Sequence, residues 1–281
     1  VLSAGIWNSI TKLSQIFSSG LDLMISNLFI GSKEMGYLAL AKTVPNLLVS
    51  FNASVANVFS PNLMLLYAKN DMEELHKVLT RAMRFMCLFV SVPIAVLISM
   101  GGDFFELWVP EQPSKLICTL SVLTIVNACV TGPMQPIYQI FTITNKIRQS
   151  SIVMIIYGFV SVLVTFVFLV TTDVGLYAVA GVSLVGSIIV ALGYHLPYAA
   201  KYIGLPWYTF YKEIVKSVVS LASVCVIGYI INSFFDLNTW WLWFFGAGST
   251  AVIGIIVNFC WMLNKEEKKG LFSIVKSKIH I

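Results

Sequence analysis

Of the chain's 281 residues, 58% are hydrophobic and only 11% charged, and the mean hydropathy is +0.85; soluble domains run at roughly 45–50% apolar and about 25% charged. That balance excludes an ordinary soluble domain and predicts an all-α, polytopic bundle whose solvent is the lipid bilayer. A net charge of +5 is no argument for nucleic acid, because in a membrane chain the placement of charges carries the information.

At about 20 residues per span, eight helices are expected, at 6–30, 36–62, 82–101, 116–142, 151–171, 176–200, 214–235 and 240–263. The first six form a lobe over residues 1–200, and 201–281 adds two helices and a basic tail. No basic region and cleavage site precede the first segment, so the reading expects a piece of a longer chain. Alternate connections fall on opposite sides. One side takes Lys69, Lys77, Arg81, Arg84, Lys146, Arg148, Lys201, Lys212, Lys216 and the tail lysines, whereas the other takes Lys33 and Lys115 together with Glu34, Asp103, Glu106, Glu111, Asp173 and Asp236. The positive-inside rule makes the basic side, and with it both ends of the chain, cytoplasmic.

Between the second and third spans, Asn70 with Glu73 three residues on reads as a capping box opening a short surface elbow striped by Leu75, Val78 and Leu79. Phe104, Phe105 and Trp108 on the other side, and Trp240, Trp241 and Trp243 at the start of the last helix, read as interfacial anchors. Pro45, Pro93, Pro133, Pro136 and Pro197 predict kinks, with a break at Gly132-Pro133 in the fourth span. The glycines of the sixth span, Gly175, Gly181, Gly186 and Gly193, permit close helix approach.

Polar residues in the first two spans carry the functional signal. At 100° per residue, Asn8, Lys12, Gln15, Ser19, Asp22 and Ser26 share one face of the first helix, and Lys42, Asn46, Ala53, Asn57 and Ser60 one face of the second. A charge at membrane depth costs at least ~2.5–3.5 kcal/mol and marks a polar cavity or a partner. With the turn centred near Ser32, Asp22 and Lys42 come level, so a structural ion pair is one reading of them. Lys12 lies opposite Asn52 and either snorkels to the interface or stands as a cation for an anionic ligand. Asn127, Thr131, Gln135 and Tyr138 add polar groups around the break, serving cavity lining or interhelical bonding. Five cysteines lie singly in apolar segments, and His76, His195 and His280 are scattered; with no nucleotide, hydrolase or metal motif, neither a cofactor nor enzymatic chemistry is expected.

The run from Asp22 to Ser26, the run from Gly36 to Pro45, the run from Phe59 to Leu63, Asn70-Asp71, Asn145-Lys146, the run from Pro197 to Lys201, and Gly204-Leu205-Pro206 follow one another over nearly the whole chain. In that order they resemble the polysaccharide flippase branch of the multidrug/oligosaccharidyl-lipid/polysaccharide exporter superfamily, whose members serve O-antigen and related surface polysaccharides. The resemblance implies two six-helix lobes and a further helix pair, moving lipid-linked oligosaccharide by alternating access. This chain would be the second lobe plus the pair. It implies Lys12, Gln15, Lys42, Asn46 and Asn57 as substrate-binding residues and Asp22 as a site for ion coupling, with polysaccharide-assembly proteins as partners. A drug or cation antiporter of the same superfamily is the alternative; a membrane transferase or an assembly scaffold are readings from other classes.

Overall fold

The computed structural model describes Ile6, Trp7, Ser9 and residues 20–262. Every element among them is helical, which bears out the all-α expectation: α1 (Gly20–Phe29), α2 (Ser32–Asn57), α3 (Ser60–Ala68), α4 (Met72–Trp108), α5 (Ser114–Ile125), α6 (Ala128–Thr131), α7 (Gln135–Ile143), α8 (Ile147–Thr171), α9 (Leu176–Val190), a π-helical turn (Ala191–His195), α10 (Leu196–Tyr202), α11 (Tyr211–Phe234) and α12 (Trp240–Met262). Among the described residues six segments are long and apolar enough to cross a bilayer: α4, α5 with α6, α8, α9 through α10, α11 and α12. Of the eight spans expected, the other two are the opening hairpin. α1 is the continuous described part of the first. α2 is long enough at 26 residues but too polar to count among the six.

α4 is the axis of the bundle, and it corrects the sequence reading. In place of a surface elbow and a separate span, one helix of 37 residues runs from Met72 to Trp108. No glycine or proline interrupts the stretch from 72 to 92. The elbow's apolar stripe Leu75, Val78, Leu79 continues as Ala82, Met83 and Met86 on the same buried face, so nothing ends the helix where the elbow was expected to stop. Its N-cap is Asp71, whose carboxylate accepts the Glu74 N–H at 3.1 Å, rather than Asn70. Asn70 instead closes α3 in a left-handed conformation (φ 59°). The Asn70 N–H donates to the Tyr67 carbonyl and the Asp71 N–H to the Leu66 carbonyl, the two bonds of a Schellman stop.

The same stop recurs at the basic end of the bundle. Asn145 (φ 56°) ends α7 and Gly204 (φ 76°) ends α10, with Lys146 donating to Phe141 and Leu205 to Ala200. The fourth span is broken at Gly132-Pro133 as the sequence predicts, and a second time at Val126-Asn127, which the sequence reading did not foresee. Pro197 lies one residue into α10, directly after the π turn, where a looser ladder absorbs its missing N–H.

Two cores stack along α4. At the acidic end, Val90, Ile94, Ala95 and Phe105 pack with α2, α5, α9 and α11; at the basic end, Leu75, Leu79 and Met83 pack with α3, α7, α10 and Phe210. α11 and α12 are clamped to α4 by polar bonds as well. Glu213 is held by Arg84 (3.0 and 3.1 Å) and Lys216 (2.9 and 3.1 Å), Asn232 donates to the Ser99 carbonyl and Trp243 to that of Met100. Gly228 allows the close crossing: a Cβ there would lie 2.2 Å from Ser99 Oγ. The two groups of aromatic anchors, far apart in sequence, meet, Phe104 lying against Trp108, Trp240 and Trp243.

Candidate functional site

The opening hairpin turns at Gly31, and its two strands of charge come together. Lys42 Nζ lies 2.6 Å from Asp22 Oδ2, the two side chains being 11% and 13% exposed. Ser183 Oγ of α9 donates to the same carboxylate oxygen at 3.4 Å, and Tyr157 of α8 donates to the Ser183 carbonyl at 3.1 Å. Four helices therefore meet at one buried pair. Removing a single partner from such a pair leaves a charge in a low-dielectric site, at a cost of about 3–5 kcal/mol.

Turning Lys42 inward rotates the polar face of α2 relative to the stripe expected from the sequence. Lys42 is buried and Ala53 half-buried; beyond Lys42 the exposed polar residues of α2 are Thr43, Asn46, Ser50, Ser54 and Asn57, spaced 3, 4, 4 and 3 residues apart and thus within one 80° stripe. Thr43, Ser50 and Ser54 each donate to the carbonyl four residues back, at 2.8–3.0 Å. Those bonds satisfy the hydroxyl protons while the oxygens remain able to accept. Hydrocarbon is a poor solvent for such a face, which requires water, a polar ligand or a polar partner.

The broken fourth span extends this surface. Thr124, Asn127, Thr131, Gln135, Gln139 and Thr142 are all half-buried or exposed, while Ile125, Ala128, Ile137 and Ile140 face the cores. Gln139 joins the two walls, donating to Asn57 Oδ1 at 3.2 Å and accepting from Ser60 Oγ at 3.3 Å. Asn127 donates to Ser187 of α9 at 3.0 Å, so among the residues around the break one is fixed by an interhelical bond and Gln135 stays half-exposed.

Of the residues singled out from the sequence, Asp22 and Lys42 are in contact, Asn57 belongs to the Gln139 cluster and Asn46 is exposed one turn beyond Lys42. Lys12 and Gln15, with Asn8 and Ser19, lie outside the described residues. The sequence reading missed Thr43, Ser50 and Ser54, although their spacing with Asn46 and Asn57 is visible, and missed Ser183 and Gln139, which long-range packing delivers. His195 sits among Tyr138, Phe141 and Tyr194 with its Nε2 3.1 Å from Ser150 Oγ. Among the described residues no group of three or more His, Cys, Asp and Glu is placed to hold a metal.

Residues 1–105 match the model of a family described as Polysaccharide biosynthesis protein, a stretch that contains the charged hairpin and most of α4. The chain is also 26% identical over 267 residues to a Bacillus subtilis (strain 168) protein named Uncharacterized membrane protein EpsK. The likeness is to membrane proteins of polysaccharide biosynthesis. It covers 93% of this chain but only 50% of the relative, so the chain spans about half the length of the protein it matches. No solved structure matches. The resemblance carried by the sequence motifs points to the same group of proteins, and with six apolar spans the chain is a multi-span membrane protein.

Proposed function

We propose that the protein is a flippase that carries a lipid-linked oligosaccharide across the inner membrane by alternating access, and that this chain forms one wall of the path. The observation that carries the proposal is the exposed face Thr43, Asn46, Ser50, Ser54 and Asn57 on α2, a helix packed against the apolar spans α4 and α5, beside the amides of the broken span. Uncharged amides and hydroxyls suit sugar hydroxyls, which donate and accept in equal measure. Asn46 and Asn57 bind the glycan in this reading, together with Gln15 and Lys12, which lie outside the described residues, and Lys42 takes the anionic head group. Since Lys42 rests on Asp22, an anion that draws it away leaves Asp22 to accept a proton or a cation, which is how ion coupling enters. No side chain is assigned a bond-breaking role. The basic ends of the helices, and with them both ends of this chain, face the cytoplasm, where assembly proteins deliver the substrate.

The test is translocation of a fluorescent lipid-linked oligosaccharide by the full-length protein in liposomes. Replacing Asn46 and Ser50 by Leu is expected to lower the rate at least tenfold with the fold intact by gel filtration. A full-length protein that does not accelerate flipping over empty liposomes overturns the proposal.

A further inference from the structure

Five hydroxyls of the polar wall share one arrangement. On α2, Thr43 donates to the Ala39 carbonyl, Ser50 to that of Asn46 and Ser54 to that of Ser50. On the broken span, Thr124 donates to the Leu120 carbonyl at 2.8 Å and Thr131 to that of Asn127 at 3.2 Å. A carbonyl can only accept, so in each pair the single hydroxyl proton belongs to the backbone and the side chain has only lone pairs to offer a ligand. To donate outward, each would have to break its bond to the helix. Thr43, Ser50 and Ser54 are exposed and Thr124 and Thr131 half-buried, so a ligand lying along this wall meets acceptors at most positions. The groups left to donate are amides, among them Asn46 and Asn57, the latter with its oxygen already accepting from Gln139 at 3.2 Å. Ser50 and Ser54 lie between those two, each about one helical turn from an amide.

The wall also carries no charge of its own. Neither 43–57 nor 124–142 contains Asp, Glu, Lys or Arg. Lys42, at the edge of the face, rests on Asp22, and the two lysines assigned to the path, Lys12 and Lys42, are offset by Asp22 and by the anionic head group of the substrate. A sugar hydroxyl brings the proton that the wall's oxygens lack. A carboxylate, sulfate or phosphate on the glycan brings only acceptors and a full negative charge; drawn to the Asn46 or Asn57 amide, it comes within a turn of a hydroxyl oxygen and meets no spare cation of this wall. We infer that the path is selective for glycans of uncharged, hydroxyl-bearing sugars and rejects those that carry carboxylate, sulfate or phosphate groups. The inference rests on the flippase reading above and adds to it the class of glycan that is moved.

The experiment compares three fluorescent lipid-linked oligosaccharides in liposomes holding the full-length protein: a linear chain of neutral hexoses, the same chain with one hexose replaced by its uronic acid, and the neutral chain with its hydroxyls O-methylated. Methylation keeps each oxygen and removes its proton. The neutral chain is expected to be flipped about tenfold faster than either of the others, the difference that one or two buried hydrogen bonds make. Asn46→Lys and Ser50→Lys are each expected to raise the rate for the uronate chain several-fold by supplying a cation, and a folded variant with no such gain counts against the inference. Equal rates for the neutral and uronate chains, a faster uronate chain, or a methylated chain as fast as the neutral one overturns the inference and leaves the flippase reading standing. Flipping of none of the three overturns the flippase reading and the inference with it. The comparison of the three chains is made in the unaltered protein and does not depend on either lysine variant folding.

Discussion

At the scale of single residues, the Asp22–Lys42 pair is the most constrained feature of the chain. Both charges are nearly buried and 2.6 Å apart, so Asp22→Asn or Lys42→Met alone is expected to cost about 3–5 kcal/mol, and the double variant markedly less than the sum. Thermal unfolding of all four proteins in detergent measures the coupling; strict additivity would show that the two charges do not interact. The pairing was legible in the sequence because two antiparallel helices share a register once their turn is placed, and 22 and 42 lie equally far from it. Ser183 was not legible. It reaches Asp22 from 161 positions away, within the apolar sixth span, and only packing of α9 against the hairpin brings it there.

At the scale of elements, the helix stops explain part of the family resemblance. Asn70-Asp71, Asn145-Lys146 and Gly204-Leu205 are three Schellman stops of the same geometry, so those residue types are set by backbone conformation as well as by function. Replacing Asn70 by Gly is expected to leave stability unchanged within a few tenths of a kcal/mol, whereas Asn70→Val costs about 1–2 kcal/mol because a branched side chain resists the left-handed region. Equal melting temperatures for the two variants contradict this. The error over α4 has the opposite cause. The amphipathic stripe was read correctly as a helix start, with the cap one residue early at Asn70, but nothing local distinguishes a surface helix from the first turns of a long one; that depends on whether α3, α7 and α10 cover the stripe, and they do. Likewise Gly228→Val is expected to cost about 1–3 kcal/mol by overpacking, since its Cβ has Ser99 Oγ at 2.2 Å; the melting temperature in detergent reads it, and no fall means that α11 does not press on α4 as closely as described.

At the scale of the molecule, the all-helical and multi-span membrane character was open to the sequence because composition and segment length decide it. The orientation of α2 was not, since a 3.6-residue period gives the faces of a helix but not which of them the bundle covers. Here the buried ion pair turns one polar face inward and leaves Thr43, Asn46, Ser50, Ser54 and Asn57 outside. The account rests on that second face being wet. The most direct measurement is therefore cysteine accessibility along α2 of the full-length protein in native membranes, in a background lacking its natural cysteines. Single cysteines at 43, 46, 50, 54 and 57 are predicted to react with a water-soluble maleimide and to be protected by lipid-linked oligosaccharide, while cysteines at Leu38, Ala41 and Ala56, which are buried, stay unreactive. Uniformly unreactive positions along the polar face, as for a helix sealed in lipid or protein, would contradict the account.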